Sequence, residues 1–200
     1  MTVKIAVIYY SATGNVHSLA EHIAKGAEDA GAEVRLRRVP ELAPDSAIDS
    51  NPAWRAHHNA TAAEPVAELD DLSWADGFAF GSPTRFGNIA AQLKQFIDTT
   101  GGLWMSGGLA GKPVTGFTSA KNTHGGNEST LLALYNTMYH WGSVIVPPGF
   151  SGDAAVVSGG NPYGTCHPSG PGAPGEVLAA AQFQGRRLAE ITGKLRADRP

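Results

Sequence analysis

The chain has 200 residues, of which 42% are hydrophobic and only 16% are charged. This balance excludes a disordered, highly charged chain, and 15 basic against 18 acidic residues leave no cationic excess for coating a nucleic acid backbone. The single cysteine excludes an internal disulfide and is typical of proteins from a reducing compartment.

The N-terminal part of the chain is predicted to form a strand, a helix and a second strand. Lys4–Tyr10 is a continuous apolar run rich in β-branched and aromatic residues, which predicts a buried parallel strand. From Asn15 onward the apolar residues follow the spacing of one helical face, and Gly31 is a typical helix-ending residue. Glu33–Val39 alternates apolar with charged residues and predicts an edge strand. No apolar stretch reaches the roughly 18 residues of a membrane span, so we expect a soluble cytoplasmic protein that does not bind membranes.

The middle of the chain begins with a long segment that has no clear period. Pro40–Pro65 is rich in proline and polar residues, which predicts an irregular connection. Pro65–Leu72 is predicted to form a short helix. Gly77–Phe80 is a second apolar strand that ends at Gly81, and Ile89–Thr99 has the spacing of a helix.

The remaining elements continue the alternation of strands and helices. They are a strand over Pro113–Phe117, a helix over Glu128–Trp141, a strand over Ser143–Val146, a loop over 147–175 and a helix over Gly175–Leu195. Five strands alternating with helices predict an α/β protein in three layers, with one five-stranded parallel sheet and one domain over residues 1–200. Right-handed crossovers favour the doubly wound strand order 2-1-3-4-5.

Loops rich in hydroxyls and glycine follow three of the predicted strands. They are Ser11–Val16, Ser82–Asn88 and Ser119–Asn127. In a doubly wound sheet the ligand binds beyond the carboxyl ends of the strands, so we expect the three loops to meet at one site. The first loop opens a helix, and its N–H groups and hydroxyls suit an anion such as phosphate. It lacks the glycine-lysine pattern of a triphosphate-binding loop and the three-glycine pattern of a dinucleotide-binding turn.

Each loop has a plainer interpretation when it is taken alone. Ser11–Val16 could be an N-capping turn, Arg85 could be solvated on a surface turn, and the third loop could be a simple connection. Alternatively, a flat heteroaromatic ligand could lie against the backbone of the second loop.

Cys166 and His167 show no orienting partner for a thiol nucleophile, and the histidines show no metal-binding spacing. Three tryptophans are predicted to serve packing: Trp54, Trp74 and Trp141.

Several segments together resemble the WrbA-type NAD(P)H:quinone oxidoreductases, a flavodoxin-like family. The most specific are Pro83-Thr84-Arg85-Phe86-Gly87-Asn88 and Thr100-Gly101-Gly102-Leu103-Trp104. Others are Tyr9–Val16, Gln92–Asp98, His124–Thr130, His140–Gly142, Val144–Pro147 and Gly159–Gly164, so that the resemblance covers most of the chain. It implies a flavodoxin-like fold, non-covalently bound FMN, NADH or NADPH as donor, a quinone as acceptor, and a homotetramer with active sites near subunit contacts.

The resemblance also assigns the site residues. The FMN phosphate would be held by Ser11, Ala12, Thr13, Gly14, Asn15 and Val16. The isoalloxazine ring would be lined by Pro83, Thr84, Arg85, Phe86 and Gly87. Its polar edge and the ribityl chain would be contacted by Ser119, Ala120, Lys121, Asn122, Thr123, His124 and Gly125. His140 would reach the flavin site and is the candidate catalytic residue, as a hydrogen-bond donor to a developing charge. Trp104 would flank the pocket for quinone or nicotinamide, and Thr13 stands where some members carry a tyrosine linked to nicotinamide contact.

The reaction implied by the resemblance is a ping-pong hydride transfer from NAD(P)H through the flavin to a quinone, which gives the hydroquinone directly. Two other functions stay open. One is an electron carrier of the flavodoxin type, which the low acidic content disfavours. The other is an FMN reductase that acts on azo compounds, nitro compounds or free flavin.

Overall fold

A mainly parallel sheet with helices on both faces forms the centre of the computed structural model, which describes residues 1–167 and 172–197. Over that part of the chain the strands are β1 (Lys4–Tyr9), β2 (Glu33–Arg38), β3 (Gly77–Arg85), β4 (Asn88–Ile89), β5 (Pro113–Ser119), β6 (Val144–Ile145) and β7 (Cys166–His167). The helices are α1 (Asn15–Asp29), α2 (Asp45–Asp49), α3 (Pro52–Ala60), α4 (Leu69–Trp74), α5 (Ala91–Asp98), α6 (Gly101–Met105), α7 (Asn127–Trp141), α8 (Asp153–Val157) and α9 (Gly175–Ala197).

The strand order along the sheet is β2-β1-β3-β5-β6, with parallel neighbours throughout. The described residues add two short strands, because β4 pairs antiparallel with the end of β3 and β7 pairs parallel with the end of β5. The prediction of a five-stranded, all-parallel sheet is therefore wrong, because the described sheet has seven strands and the two additional ones change the numbering 2-1-3-4-5. The five predicted strands themselves lie side by side as β2-β1-β3-β5-β6. β4 and β7 are too short to show a period, so the sequence pattern placed Asn88 and β7 in loops and Ile89 at the start of a helix.

The sheet separates two hydrophobic cores. Ala6 and Ile8 of β1 join the core on the side of α5 and α7, whereas Ile5, Val7 and Tyr9 join the core on the side of α1 and α9. Successive side chains of a strand point to opposite faces, so a strand buried on both faces must be apolar at every position. This is the physical basis of the uninterrupted apolar run that predicted β1.

Several segments differ from their predictions. The segment Pro40–Pro65, predicted to be irregular, contains α2 and α3. The second loop is mostly strand, since β3 continues to Arg85 before a tight turn. The loop over 147–175 contains α8 and β7, and the Thr100–Trp104 segment lies largely in α6. α2, α6 and α8 are too short for apolar periodicity to identify them. α3 is longer, but none of its described residues is buried, so it has no buried apolar face to show a period.

Glycines allow α1 and α9 to pack backbone against backbone. A Cβ atom at Gly26 would lie 1.9 Å from the carbonyl oxygen of Gln182, and one at Gly185 would lie 1.9 Å from that of Ile23. No real Cβ atom approaches so closely, so the glycines set the spacing of the two helices. Among the described residues, no helix combines the length and the apolar character needed to cross a membrane.

Candidate functional site

A cleft of about 930 Å³ opens beyond the carboxyl ends of β1, β3 and β5. The predicted site residues that line it are Ser11, Ala12, Thr13, Asn15, Val16, Pro83, Thr84, Arg85, Ser119, Ala120, Lys121, Asn122 and Gly125. The topology therefore brings all three strand-end segments to one site. The volume is in the range of pockets that hold drug-sized ligands.

The first segment leads from β1 into α1 through a left-handed residue. Gly14 has φ +99° and directly precedes the first helical residue, Asn15. The Gly14 N–H donates to Ser11 Oγ at 3.1 Å, which tightens the turn. The first turn of α1 has no acidic residue and no side-chain cap, so its N–H groups and the positive end of the helix dipole suit an anion.

The second segment places a strand, and not a loop, along the cleft. Pro83, Thr84 and Arg85 line it, and the Arg85 guanidinium donates to its own neighbour, the Thr84 carbonyl oxygen, at 3.1 Å. Phe86 follows with φ +53° at the tip of the β3–β4 hairpin, where its side chain is fully exposed. Phe86 and Gly87 do not line the cleft, because the hairpin turns them away from it within this chain.

The third segment supplies Ser119, Ala120, Lys121, Asn122 and Gly125 to the cleft, whereas Thr123 and His124 are not among its lining residues. Arg85 and Lys121 carry the charges among the lining residues, and no carboxylate is among them. A chain with net charge −3 thus presents a cationic cleft. Such a cleft favours negatively charged ligands.

One wall of the cleft comes from residues that the sequence interpretation did not include. Asn51, Ala53 and Trp54 line it from the start of α3. The Asn51 side chain accepts a hydrogen bond from the Ala53 N–H at 3.1 Å, and Pro52 occupies the first helical turn. Asn followed by Pro is a recognisable helix-start signal, which could have identified α3 but could not have placed it over the cleft.

Two of the predicted site residues lie elsewhere in the chain. His140 and Trp104 line a separate cleft of about 190 Å³, together with Lys94, Thr100 and Trp141. The Trp104 indole N–H donates to the His140 carbonyl oxygen at 2.8 Å, so the two residues form one patch. Within one chain the structure does not bring this patch to the large cleft.

A small cavity lies behind the first segment, and Tyr9, Glu41 and His57 are among the titratable residues that line it. The Tyr9 hydroxyl donates to Glu64 Oε2 at 2.6 Å and also meets His17 Nδ1 at 2.7 Å. Burial, followed by the hydrogen bond to Glu64, raises the pKa of Tyr9. Burial and the neighbouring His17 lower the pKa of His57, which favours a neutral imidazole next to the first segment. These groups support the loop from behind and do not line the large cleft.

Cys166 offers no nucleophile. It lies in β7 beside His167, and adjacent residues of a strand point to opposite faces. Burial raises the pKa of the Cys166 thiol and keeps it protonated. Among residues 1–167 and 172–197 no group of three or more His, Cys, Asp or Glu is arranged to hold a metal ion.

Comparison with known proteins gives a consistent result. A family model described as NADPH-dependent FMN reductase matches residues 3–156. A Deinococcus radiodurans protein named NAD(P)H dehydrogenase (quinone) is 46% identical, over 96% of this chain and 97% of its own. A Methylocella silvestris protein of the same name is 43% identical, over 96% of this chain and 98% of its own.

Solved structures agree in their fold. A WrbA-like flavodoxin from Agrobacterium tumefaciens superposes with a TM-score of 0.71 at 23% identity, covering 96% of this chain and 99% of that one. A flavodoxin from the domain Archaea has a TM-score of 0.64 at 19% identity, with coverage of 96% and 99%. The fold is therefore flavodoxin-like, as the sequence resemblance implied.

Proposed function

The chain belongs to the NADPH-dependent FMN reductase family, and we propose that it is an FMN-dependent NAD(P)H:quinone oxidoreductase. The observation that carries this proposal is the large cleft, where three strand-end segments meet around two cations and no carboxylate. FMN fits this lining by its chemistry. Its phosphate suits the uncapped start of α1 behind Gly14, and its ring suits the apolar surface of Pro83 and Ala120.

The chemistry that FMN would supply when bound is hydride transfer from NADH or NADPH to a quinone. The residues of the chain orient and hold these partners. The Ser11–Val16 segment binds the phosphate through N–H groups and the hydroxyls of Ser11 and Thr13. Pro83–Arg85, together with Ser119–Asn122 and Gly125, flank the ring and restrict its orientation. Arg85 and Lys121 raise the local positive potential, which favours anionic groups.

The separate patch of Trp104 and His140 has a role if several copies assemble. We propose a homotetramer, in the cytoplasm, in which this patch of one subunit lies beside the large cleft of another. There His140 would donate a hydrogen bond to a developing charge, and Trp104 would flank quinone or nicotinamide opposite Thr13. Exposed apolar side chains support assembly, since Met105 is 81% exposed and Tyr139 is 68% exposed. A sizing column with and without FMN tests this, and a monomer under both conditions contradicts it.

The deciding experiment is to purify the protein, add FMN, and follow NADH and NADPH oxidation with and without benzoquinone. Quinone-dependent oxidation with hydroquinone formation is expected, with parallel lines in a double-reciprocal plot if the transfer is ping-pong. Absence of flavin binding contradicts the whole proposal. Flavin binding without quinone-dependent turnover favours the electron carrier. Turnover only with azo compounds, nitro compounds or free flavin makes the chain a reductase of another acceptor class.

A further inference from the structure

Trp54 occupies a position that the proposed mechanism does not use. It lines the large cleft and also the small cavity behind the first segment, and it packs partly against the core on the α5 and α7 side. Among the described residues that line the large cleft, Trp54 is the one with an aromatic side chain. None of the described residues of α3 is fully buried, so the partial packing of Trp54 is not the whole reason that it is held in place.

Glu41 holds the polar edge of Trp54. The Trp54 indole N–H donates to Glu41 Oε2 at 3.0 Å, and the same oxygen accepts from the Tyr10 hydroxyl at 2.7 Å. The other oxygen, Oε1, accepts from Gln92 Nε2 at 2.6 Å and from the Ala43 N–H at 3.0 Å. One carboxylate thus connects α3 to the end of β1 and to α5.

The carboxylate is held in its charged form. Burial by itself would raise the pKa of Glu41, but the hydrogen bonds from Ala43, Gln92, Tyr10 and Trp54 outweigh it and lower the pKa. Hydrogen bonds to a charged acceptor are the strong ones, so the indole is tied firmly at its N–H. The hydrocarbon part of the ring is left to line the cleft. An aromatic ring held in this way can cover a flat conjugated ligand by stacking or edge contact.

We propose that Trp54 covers the flavin ring on the α3 side of the cleft and that Glu41 is the positioning residue that fixes its indole. This inference rests on the proposed function, because it takes the ligand to be FMN. It adds a contact from a segment that follows β2, outside the three strand-end segments. The contact is to the ring and not to the phosphate, and the test depends on that distinction.

The first test compares two tryptophans by titration of the full-length apoprotein with FMN and with riboflavin, which lacks the phosphate. Trp54→Leu is expected to weaken both ligands by the same factor, about tenfold, the value of one aromatic contact. Trp54→Phe should restore most of the affinity. The matched control is Trp74→Leu. Trp74 packs on the same core but lies under Arg35, away from the cleft, so its loss should leave both affinities unchanged.

The second test asks whether Glu41 acts through Trp54. Glu41→Ala alone should weaken flavin binding, whereas in the Trp54→Leu background it should add nothing further. Glu41→Gln keeps an acceptor for the indole and should retain most of the affinity. Melting temperatures of the apoproteins check that each variant is folded. A purely structural role for Glu41 would give equal losses in both backgrounds.

The outcomes separate this inference from the proposed function. Wild-type protein that binds neither FMN nor riboflavin overturns both. Wild-type binding that Trp54→Leu leaves unchanged overturns only the role of Trp54. A loss for FMN alone overturns the ring contact, and equal losses from Glu41→Ala in both backgrounds overturn the positioning role. Equal losses for the two flavins, absent in Trp74→Leu, support the proposal.

Discussion

The α1–α9 helix pair and α3 both support the large cleft, but they are attached to the sheet in opposite ways. α1 and α9 bury Leu19, Ile23 and Leu188 and meet through glycines at backbone contact distance. α3 buries none of its residues and is held by its Asn51 cap, by Glu41 and by exposed ion pairs of Arg55. We therefore expect the anchor of the first segment to be rigid and the α3 wall to loosen without unfolding of the protein.

The largest effect is expected at the α1–α9 contact. Gly185→Ala would force a Cβ atom against the carbonyl oxygen of Ile23, and we expect a loss of about 2–4 kcal/mol in the free energy of unfolding. Urea denaturation measures it. Gly193→Ala is the matched control in the same helix, since its Cβ would lie 3.4 Å from Val3 in ordinary contact. That change should be neutral or slightly stabilising, and equal losses at both positions would mean that helix spacing is not set at Gly185.

The first segment should affect ligand binding and not stability. The double change Ser11→Ala with Thr13→Ala removes two hydroxyls at the proposed phosphate site, and we expect FMN affinity to fall by about 1–3 kcal/mol. Riboflavin affinity should stay the same because it has no phosphate. Titration of each flavin measures both. The control is Thr123→Ala, which removes a hydroxyl of the third segment outside the cleft lining and should leave FMN affinity unchanged. If the double variant binds FMN as tightly as the wild type, the phosphate assignment is refuted.

A smaller and local effect is expected at the cap of α3. Asn51→Ala removes the acceptor for the Ala53 N–H and should cost about 1 kcal/mol of local helix stability. Amide hydrogen exchange over residues 52–60 of the apoprotein should quicken, while the global melting temperature barely moves. Asn59→Ala, at the exposed far end of the same helix, is the control. A fall in melting temperature as large as that of Gly185→Ala would contradict the difference between the two regions.

The smallest effect concerns pH. The folded-state pKa of His57 is lowered, so the unfolded chain binds the proton more readily. Stability from this group is complete above pH 6.5 and is lost as the pH falls from there through the folded pKa. His17, His58 and Glu64 face the same imidazole. In the His57→Gln variant, the change in melting temperature across this pH window should be smaller by about 1 °C. An unaltered pH profile would show that His57 titrates normally.

Local patterns predicted those parts of the fold that are buried uniformly or repeat regularly. β1 was recognisable as a continuous apolar run, because both of its faces are covered. α1 was recognisable by apolar residues at helical spacing, because one of its faces is covered. The three strand-end segments were recognisable because hydroxyls and glycines follow apolar runs. α6, α8 and the strands β4 and β7 were not, because they are too short to show a period.

By itself, the sequence determined the α/β class, the three segments that meet at the strand ends, and the family, since each depends on residues close together in the chain. Only the tertiary structure decided that β3 runs on to Arg85, that the β3–β4 hairpin turns Phe86 outward, and that Trp104 and His140 form a separate patch. It also decided that Trp54 faces the large cleft. The reason is that Glu41, Tyr10 and Gln92 come from distant parts of the chain, and only folding brings them to one indole.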